Sequence, residues 1–209
     1  MSIQLDKVQP KNKAQLKSLI EYAFNHNIYD LNFIDTSEIT NMSWLFEDVK
    51  HNFDVSDWNV SNVTNTAGMF YCCKNFDCDL SNWNVSNVTD MHALFYECNK
   101  FTGKGLENWD VSAVTDMHYM FYKCKTFNCD LSNWDVSNVK DMMWMFSECK
   151  NFNCDLSKWN VSNVTNMDNM FDGCKKFNCD LSDWDISNIT LWKNMFDGCN
   201  KMTIPNWYK

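Results

Sequence analysis

The sequence predicts an α/β solenoid. Its units are stacked, each carries one short strand and one short helix or 3-10 turn, and a helix caps the start. Three observations predict it. The stretch Cys129-Asp-Leu-Ser-Asn-Trp-Asp-Val-Ser-Asn-Val-Lys-Asp-Met-Met-Trp-Met-Phe-Ser-Glu-Cys149-Lys-Asn-Phe152 is said again, with small changes, from Cys78 to Phe101, from Cys154 to Phe177 and from Cys179 into Cys199. Trp58, Trp83, Trp109, Trp134, Trp159 and Trp184 recur in steps of 25 residues, with a single step of 26. Within each unit the apolar spacing switches from three to two. A fixed period of this size marks units that bury a face only against their neighbours.

The first element lies in residues 1–27, which stand outside the repeat. After Pro10, the residues Leu16, Leu19, Ile20, Ala23 and Phe24 fall at helical spacing, and Asn25-His-Asn ends the run. A helix over roughly residues 11–25 is expected, covering the open first end of the stack. Met1-Ser-Ile-Gln-Leu-Asp-Lys-Val lacks the basic and then apolar pattern of a secretory leader. No run of apolar residues is long enough to cross a membrane as a helix.

Residues 28–209 hold about seven units. Repetition starts at Asp30, where Ile34 takes the Trp place and Ile39 the Val place. In Ser86–Cys98 the apolar places are Val88, Met91, Leu94, Phe95 and Cys98, one face of a short helix or 3-10 turn. Ser86 or Asn87 would cap it, and the lysines that follow in most units would meet its negative end. The Cys-Asp-Leu-Ser stretch has period two and reads as a short strand. Phe101-Thr-Gly-Lys-Gly-Leu106 inserts one residue, and its glycines suit a bulge or loop. The last unit is cut short at Met202-Thr-Ile-Pro-Asn-Trp207, where Pro205 would end strand pairing. The whole is a leucine-rich-repeat-like right-handed coil.

Composition narrows the partners. The net charge is −9, with 27 acidic and 18 basic residues. Nucleic acid and anionic membranes both call for a basic surface, so neither is the expected partner. A protein ligand is expected, and a monomer. The ten tryptophans belong to a packed core rather than a disordered chain.

Ten of the eleven cysteines fall in two columns, Cys73, Cys98, Cys124, Cys149, Cys174, Cys199 and Cys78, Cys129, Cys154, Cys179. They read as small buried residues, with disulfides between neighbours such as Cys73 and Cys78, or metal binding, as alternatives. The carboxylate column Asp54, Asp79, Asp130, Asp155, Asp180 reads as structural turn or ladder residues or, alternatively, as a face for Ca²⁺ or a cationic partner. Repeated Asn-x-Ser/Thr sequences, as at Asn59, Asn62, Asn84 and Asn87, are the repeat's own wording. His92 and His118 occupy one place in adjacent units, as surface polar residues or as a ligand-contacting pair. No catalytic group and no cofactor is expected.

The pairs that do not repeat lie between core Met positions: Ser43-Trp44, Ala67-Gly68, His92-Ala93, His118-Tyr119, Met143-Trp144, Asp168-Asn169 and Lys193-Asn194. Packing within the stack does not dictate them. Tyr96, His118, Tyr119, Tyr122, Met143 and Trp144 form a candidate partner-binding patch, against the plainer reading of partial burial beside a neighbouring turn.

The motif Asp-Leu-Ser-x-Trp-Asp-Val-Ser-x-Val-Thr-x-Met-x-x-Met-Phe-x-x-Cys-x-x-Phe-Asn resembles the BspA-like leucine-rich-repeat proteins, in the branch of 25-residue repeats known as DUF285. The resemblance covers roughly residues 28–207. It implies a curved solenoid and a role in adhesion or host-protein binding at a bacterial surface. An intracellular repeat scaffold and a cation-binding structural array are the alternatives. Cell surface and cytoplasm both remain open.

Overall fold

The computed structural model describes residues 7–208. Residues 1–6, which belong to the 1–27 cap and to the stretch read as lacking a secretory leader, lie outside them, as does residue 209. Helix α1 spans Lys13–Asn25. Asn12 caps it by accepting the backbone N–H of Gln15, and Asn27, at φ 57°, turns the chain out of it. Leu16, Ile20 and Ala23 are buried in the same apolar cluster as Leu31, Ile34 and Ile39 of the first unit. Phe24 reaches further, to Phe53 at 5.7 Å and Phe46 at 6.3 Å. The helix thus covers apolar side chains that no earlier unit could cover.

Beyond α1, backbone hydrogen bonds join residues about one unit apart. Parallel bridges link Asn41, Asn65, Asp90, Asp116, Asp141, Asn166 and Leu191 in succession. Beside them runs a continuous line: Thr64 donates to Thr40, Thr89 to Thr64, Thr115 to Thr89, Lys140 to Thr115, Thr165 to Lys140 and Thr190 to Thr165. In the following stretch alternate N–H groups go to the next unit. Met91, Ala93, Phe95 and Glu97 donate to Asp116, His118, Met120 and Tyr122. The N–H groups between them turn back: Leu94 donates to Met91, Tyr96 to Ala93 and Cys98 to Phe95. Every second donor thus serves the stack and the rest serve tight turns, which leaves few buried backbone groups unpaired.

Of the two alternatives expected over Ser86–Cys98, a short helix or a 3-10 turn, this alternation matches the i→i+3 turn and not the helix. The turns bend back on themselves only because two residues per unit take positive φ, as Ala93 (52°) and Glu97 (55°) do. The spacing of three that reads as a helical face comes from i→i+3 turns whose apolar residues all point inward. Ser86 and Asn87 therefore cap nothing. Asn84 accepts the Ser86 N–H, and Asn87 donates to the carbonyl of Ser61. The lysines after Cys98 and its equivalents meet no helix end. Among the described residues, α1 and a 3-10 turn at Leu106–Asn108 are the only helices.

Cys-Asp-Leu-Ser is not a strand either. Its aspartate competes with sheet pairing by accepting the N–H of the serine two residues on: Ser81 donates to Asp79, Ser132 to Asp130 and Ser157 to Asp155, all at 3.0–3.1 Å. This is the turn reading of the carboxylate column. The inserted residue near 103 is absorbed by Gly103 and Gly105, at φ 90° and 93°, ahead of the 3-10 turn. A Cβ on Gly105 would lie 2.2 Å from the backbone nitrogen of Ser81.

The core is built of columns. Phe70, Phe95, Phe121, Phe146, Phe171 and Phe196 stack with ring centroids 5.5–5.9 Å apart. Each Trp of the repeated column, from Trp58 to Trp184, is bound rather than merely packed. The indole N–H of Trp109 donates to the carbonyl of Leu80, that of Trp134 to Leu106, and that of Trp159 to Leu131. The first Cys column works in the same way: the thiols of Cys98, Cys124 and Cys149 lie 2.9–3.0 Å from the carbonyls of Phe70, Phe95 and Phe121. All eleven cysteines are unpaired, and none of the alternative disulfides forms. At the far end Trp207 donates to Leu181, and the hydroxyl of Tyr208 accepts the Met195 N–H. No helix of the described residues is long and apolar enough to cross a membrane.

Candidate functional site

The pairs that vary between units lie where the chain makes its first positive-φ turn. The second residue of each pair is Trp44, Gly68, Ala93, Tyr119, Trp144, Asn169 or Asn194, and all sit between φ 52° and 58°. Glycine and asparagine suit that conformation; a bulky side chain there is strained by roughly 1–3 kcal/mol. Gly68 and Ala93 are small and adjacent. Trp44 stands before them, and Tyr119 and Trp144 stand after them.

The result is a groove of about 440 Å³. Its floor is at Ala93, and Trp44 closes one end with its indole against Gly68, where a Cβ would lie only 2.4 Å from the ring. Tyr119 and Trp144 stack at the other end, at 6.0 Å and 11°. One wall is a ladder of phenols: Tyr71 on Tyr96 at 4.5 Å, and Tyr96 on Tyr122 at 4.7 Å. The opposite wall is His92 stacked on His118, at 4.7 Å and 3°. Burial first, then the neighbouring phenols, pushes Tyr96 up to about 12. Lys123 reaches across the phenol wall, 4.8 Å from the Tyr122 ring and 2.9 Å from Glu97.

Of the residues expected to form a patch, Tyr96, His118, Tyr119, Tyr122 and Trp144 meet in this groove. Each is partly buried rather than freely exposed. Met143 is not among its lining residues; it continues the column of His92 and His118 one unit further on. Trp44, Tyr71, His92 and Ala93 belong to the lining too. Their signal was available in the variable pairs, since Trp44 and Ala93 share one column and Tyr71 shares that of Tyr96 and Tyr122.

Behind the histidines lies a ladder of five side chains. Asn65, Asp90, Asp116, Asp141 and Asn166 occupy the bridge positions. The amide of Asn65 donates to Asp90 and that of Asn166 to Asp141. His92 Nδ1 lies 2.7 Å from Asp90, and His118 Nδ1 2.6 Å from Asp116. Burial works against ionisation of Asp116, but the hydrogen bonds from His118 outweigh it and its pKa is lowered. The same bond raises that of His118.

A separate groove of about 490 Å³ runs beside Cys129, Asp130, Cys154 and Asp155. It is polar, and its aspartates are already committed to serine N–H groups. Cys154 and Cys179 accept the N–H groups of Leu131 and Leu156, so the second Cys column is structural here.

Against known proteins, the chain matches a family described as "Mycoplasma protein of unknown function, DUF285", over residues 14–105 and 97–207. The chain belongs to this family. Neither a curated protein nor a solved structure matches it significantly. The first of the two DUF285 matches takes in all of α1 but its first residue, and the second ends at residue 207.

Proposed function

We propose that this DUF285 chain is a non-enzymatic protein-interaction module. Its stacked units are a leucine-rich-repeat-like solenoid of the BspA-like kind, and its aromatic groove holds a protein partner. The setting is a bacterial surface, with a role in adhesion or host-protein binding.

One observation carries the reading. Trp44, Tyr119 and Trp144 fill backbone positions where other units use glycine or asparagine. Aromatic residues at these positions carry a backbone strain that glycine or asparagine avoids, which fits rings wanted at the surface. Trp and Tyr are also the side chains that dominate protein contact surfaces. The test compares the intact chain with Tyr119→Gly and Trp144→Asn in binding candidate surface proteins. Loss of binding at an unchanged unfolding midpoint supports the reading. Retained binding, or loss of both binding and fold, counts against it.

A second reading, an intracellular scaffold, is favoured by the eleven unpaired cysteines. Counting free thiols on native-source protein, denatured without reductant, separates the two. Eleven favours the reducing compartment; three or fewer favours the surface.

A further inference from the structure

We propose that His92, Asp116 and His118 form a binding site for one divalent transition-metal ion on the wall of the aromatic groove. An imidazole nitrogen from each histidine and a carboxylate oxygen of Asp116 all lie within 4.8 Å of one another. Two imidazoles and one carboxylate are the donors that Zn²⁺ and Ni²⁺ take, whereas Ca²⁺ and Mg²⁺ take oxygens.

Three features make this more than a chance cluster. First, the histidines are equivalent residues of consecutive units. The hydrogen bonds that stack the units hold their rings face to face at 4.7 Å. Second, a carboxylate that is not itself a ligand, that of Asp90, already lies 2.7 Å from Nδ1 of His92 and leaves the other ring nitrogen for the ion. A carboxylate behind a histidine fixes its tautomer and raises its basicity as a ligand. Third, Asp116 is the middle of three stacked carboxylates. Asp90 and Asp141 have the amides of Asn65 and Asn166, but both ladder neighbours of Asp116 are acids. Like charges at this spacing repel, and a bound cation relieves them.

Entry is open, since each histidine side chain is 27% exposed and lines the groove. Metal–nitrogen bonds of about 2.1 Å bring two ligand nitrogens to roughly 3.3 Å. The rings must therefore tilt toward each other from their parallel stack as the ion binds, and Asp116 must exchange its bond to His118 for the metal. The site does not depend on the groove having a protein partner, and its test uses no partner.

Ni²⁺ is titrated into the whole chain under reducing conditions, with calorimetry and thermal unfolding as readouts. One ion per chain and a raised melting temperature are expected. The double variant His92→Ser/His118→Ser should weaken binding by about tenfold or more. It should still fold, because Ser43 holds the same place in its unit, with its hydroxyl 2.7 Å from Asn41. Cys72→Ser/Cys129→Ser, which removes the two least buried thiols, should leave binding unchanged. Met143→His, next in the column, should tighten it by adding a third imidazole. Unchanged binding in the histidine variant, loss in the cysteine variant, or no gain from Met143→His would each overturn the site.

Discussion

Tyr119 and Trp144, both at φ 58°, show how a single residue can work against the stack. An L side chain in this region crowds its own carbonyl at about 1–2 kcal/mol. Trp144→Asn, the choice made at 169 and 194, should therefore leave the urea unfolding midpoint unchanged or raise it. A large fall would mean that the ring is core. The cysteines behave in the opposite way and serve the fold. Burial pushes the thiol of Cys73 up to about 12, and those of Cys98, Cys124 and Cys149 well above their ordinary value. Their folded pKa lies above the unfolded one near 9, so the stability they contribute is whole below pH 9. Above it the unfolded chain loses thiol protons first, and that stability drains away up to about 12. Urea midpoints should fall between pH 8.5 and 10.5, and less steeply in Cys98→Ala. A flat profile would contradict the burial of these thiols. Disulfide-free columns were legible from the sequence as small buried residues. The thiol's bond to a phenylalanine carbonyl one unit back was not, because it needs the register between units.

At the level of elements, the turn and the tryptophan matter more than helix or strand. The indole N–H of Trp134 is held by the Leu106 carbonyl at 2.8 Å in a buried setting. Trp134→Phe keeps most of the ring but leaves that carbonyl without its partner, a loss of about 1–3 kcal/mol, measurable by urea denaturation. An effect below a few tenths would show that the bond contributes little. Gly105 is the other sensitive point, because its Cβ would meet the backbone of Ser81 rather than a flexible side chain. Gly105→Ala should cost at least about 1 kcal/mol, while a neutral result would mean that the inserted loop shifts freely. The capping helix was readable because its apolar spacing and its end signals agree. The choice between a short helix and a turn in each unit stayed open in the sequence for a physical reason. A spacing of three is common to helices and to chained i→i+3 turns, and only positive φ at Ala93 and Glu97 distinguishes them. Nothing in those side chains announces it. In Cys-Asp-Leu-Ser the aspartate accepts the serine N–H in each unit, and at Leu131 and Leu156 the leucine N–H goes to a cysteine sulfur instead of a neighbouring carbonyl.

Across the whole molecule, cohesion is carried between neighbours about 25 residues apart, as in the line from Thr190 back to Thr40. A stack of this kind gains stability from each interface in turn. Excising residues 130–154, one repeat length, should leave a folded chain with a lower unfolding midpoint. Excising 130–142, about half a unit, should break the register and fail to give a cooperative transition. Equal behaviour of the two would argue against units held in register. The groove and its histidine wall also belong to this scale, since they draw on units from Trp44 to Trp144.

The sequence alone determined the period, the core columns, the capping helix and the places where units differ. Repeated identical contacts leave repeated identical residues, so these were written in plain view. Tertiary structure decided the rest. It chose chained turns over a short helix and set aromatic residues at left-handed positions. It closed the five expected patch residues into one groove with Trp44, Tyr71, His92 and Ala93, while Met143 continued the histidine column instead. It also placed Asp116 between two other carboxylates and beside two stacked imidazoles. Those arrangements arise from which atoms of adjacent units face each other, and that depends on hydrogen-bond register rather than on the residues of any one unit.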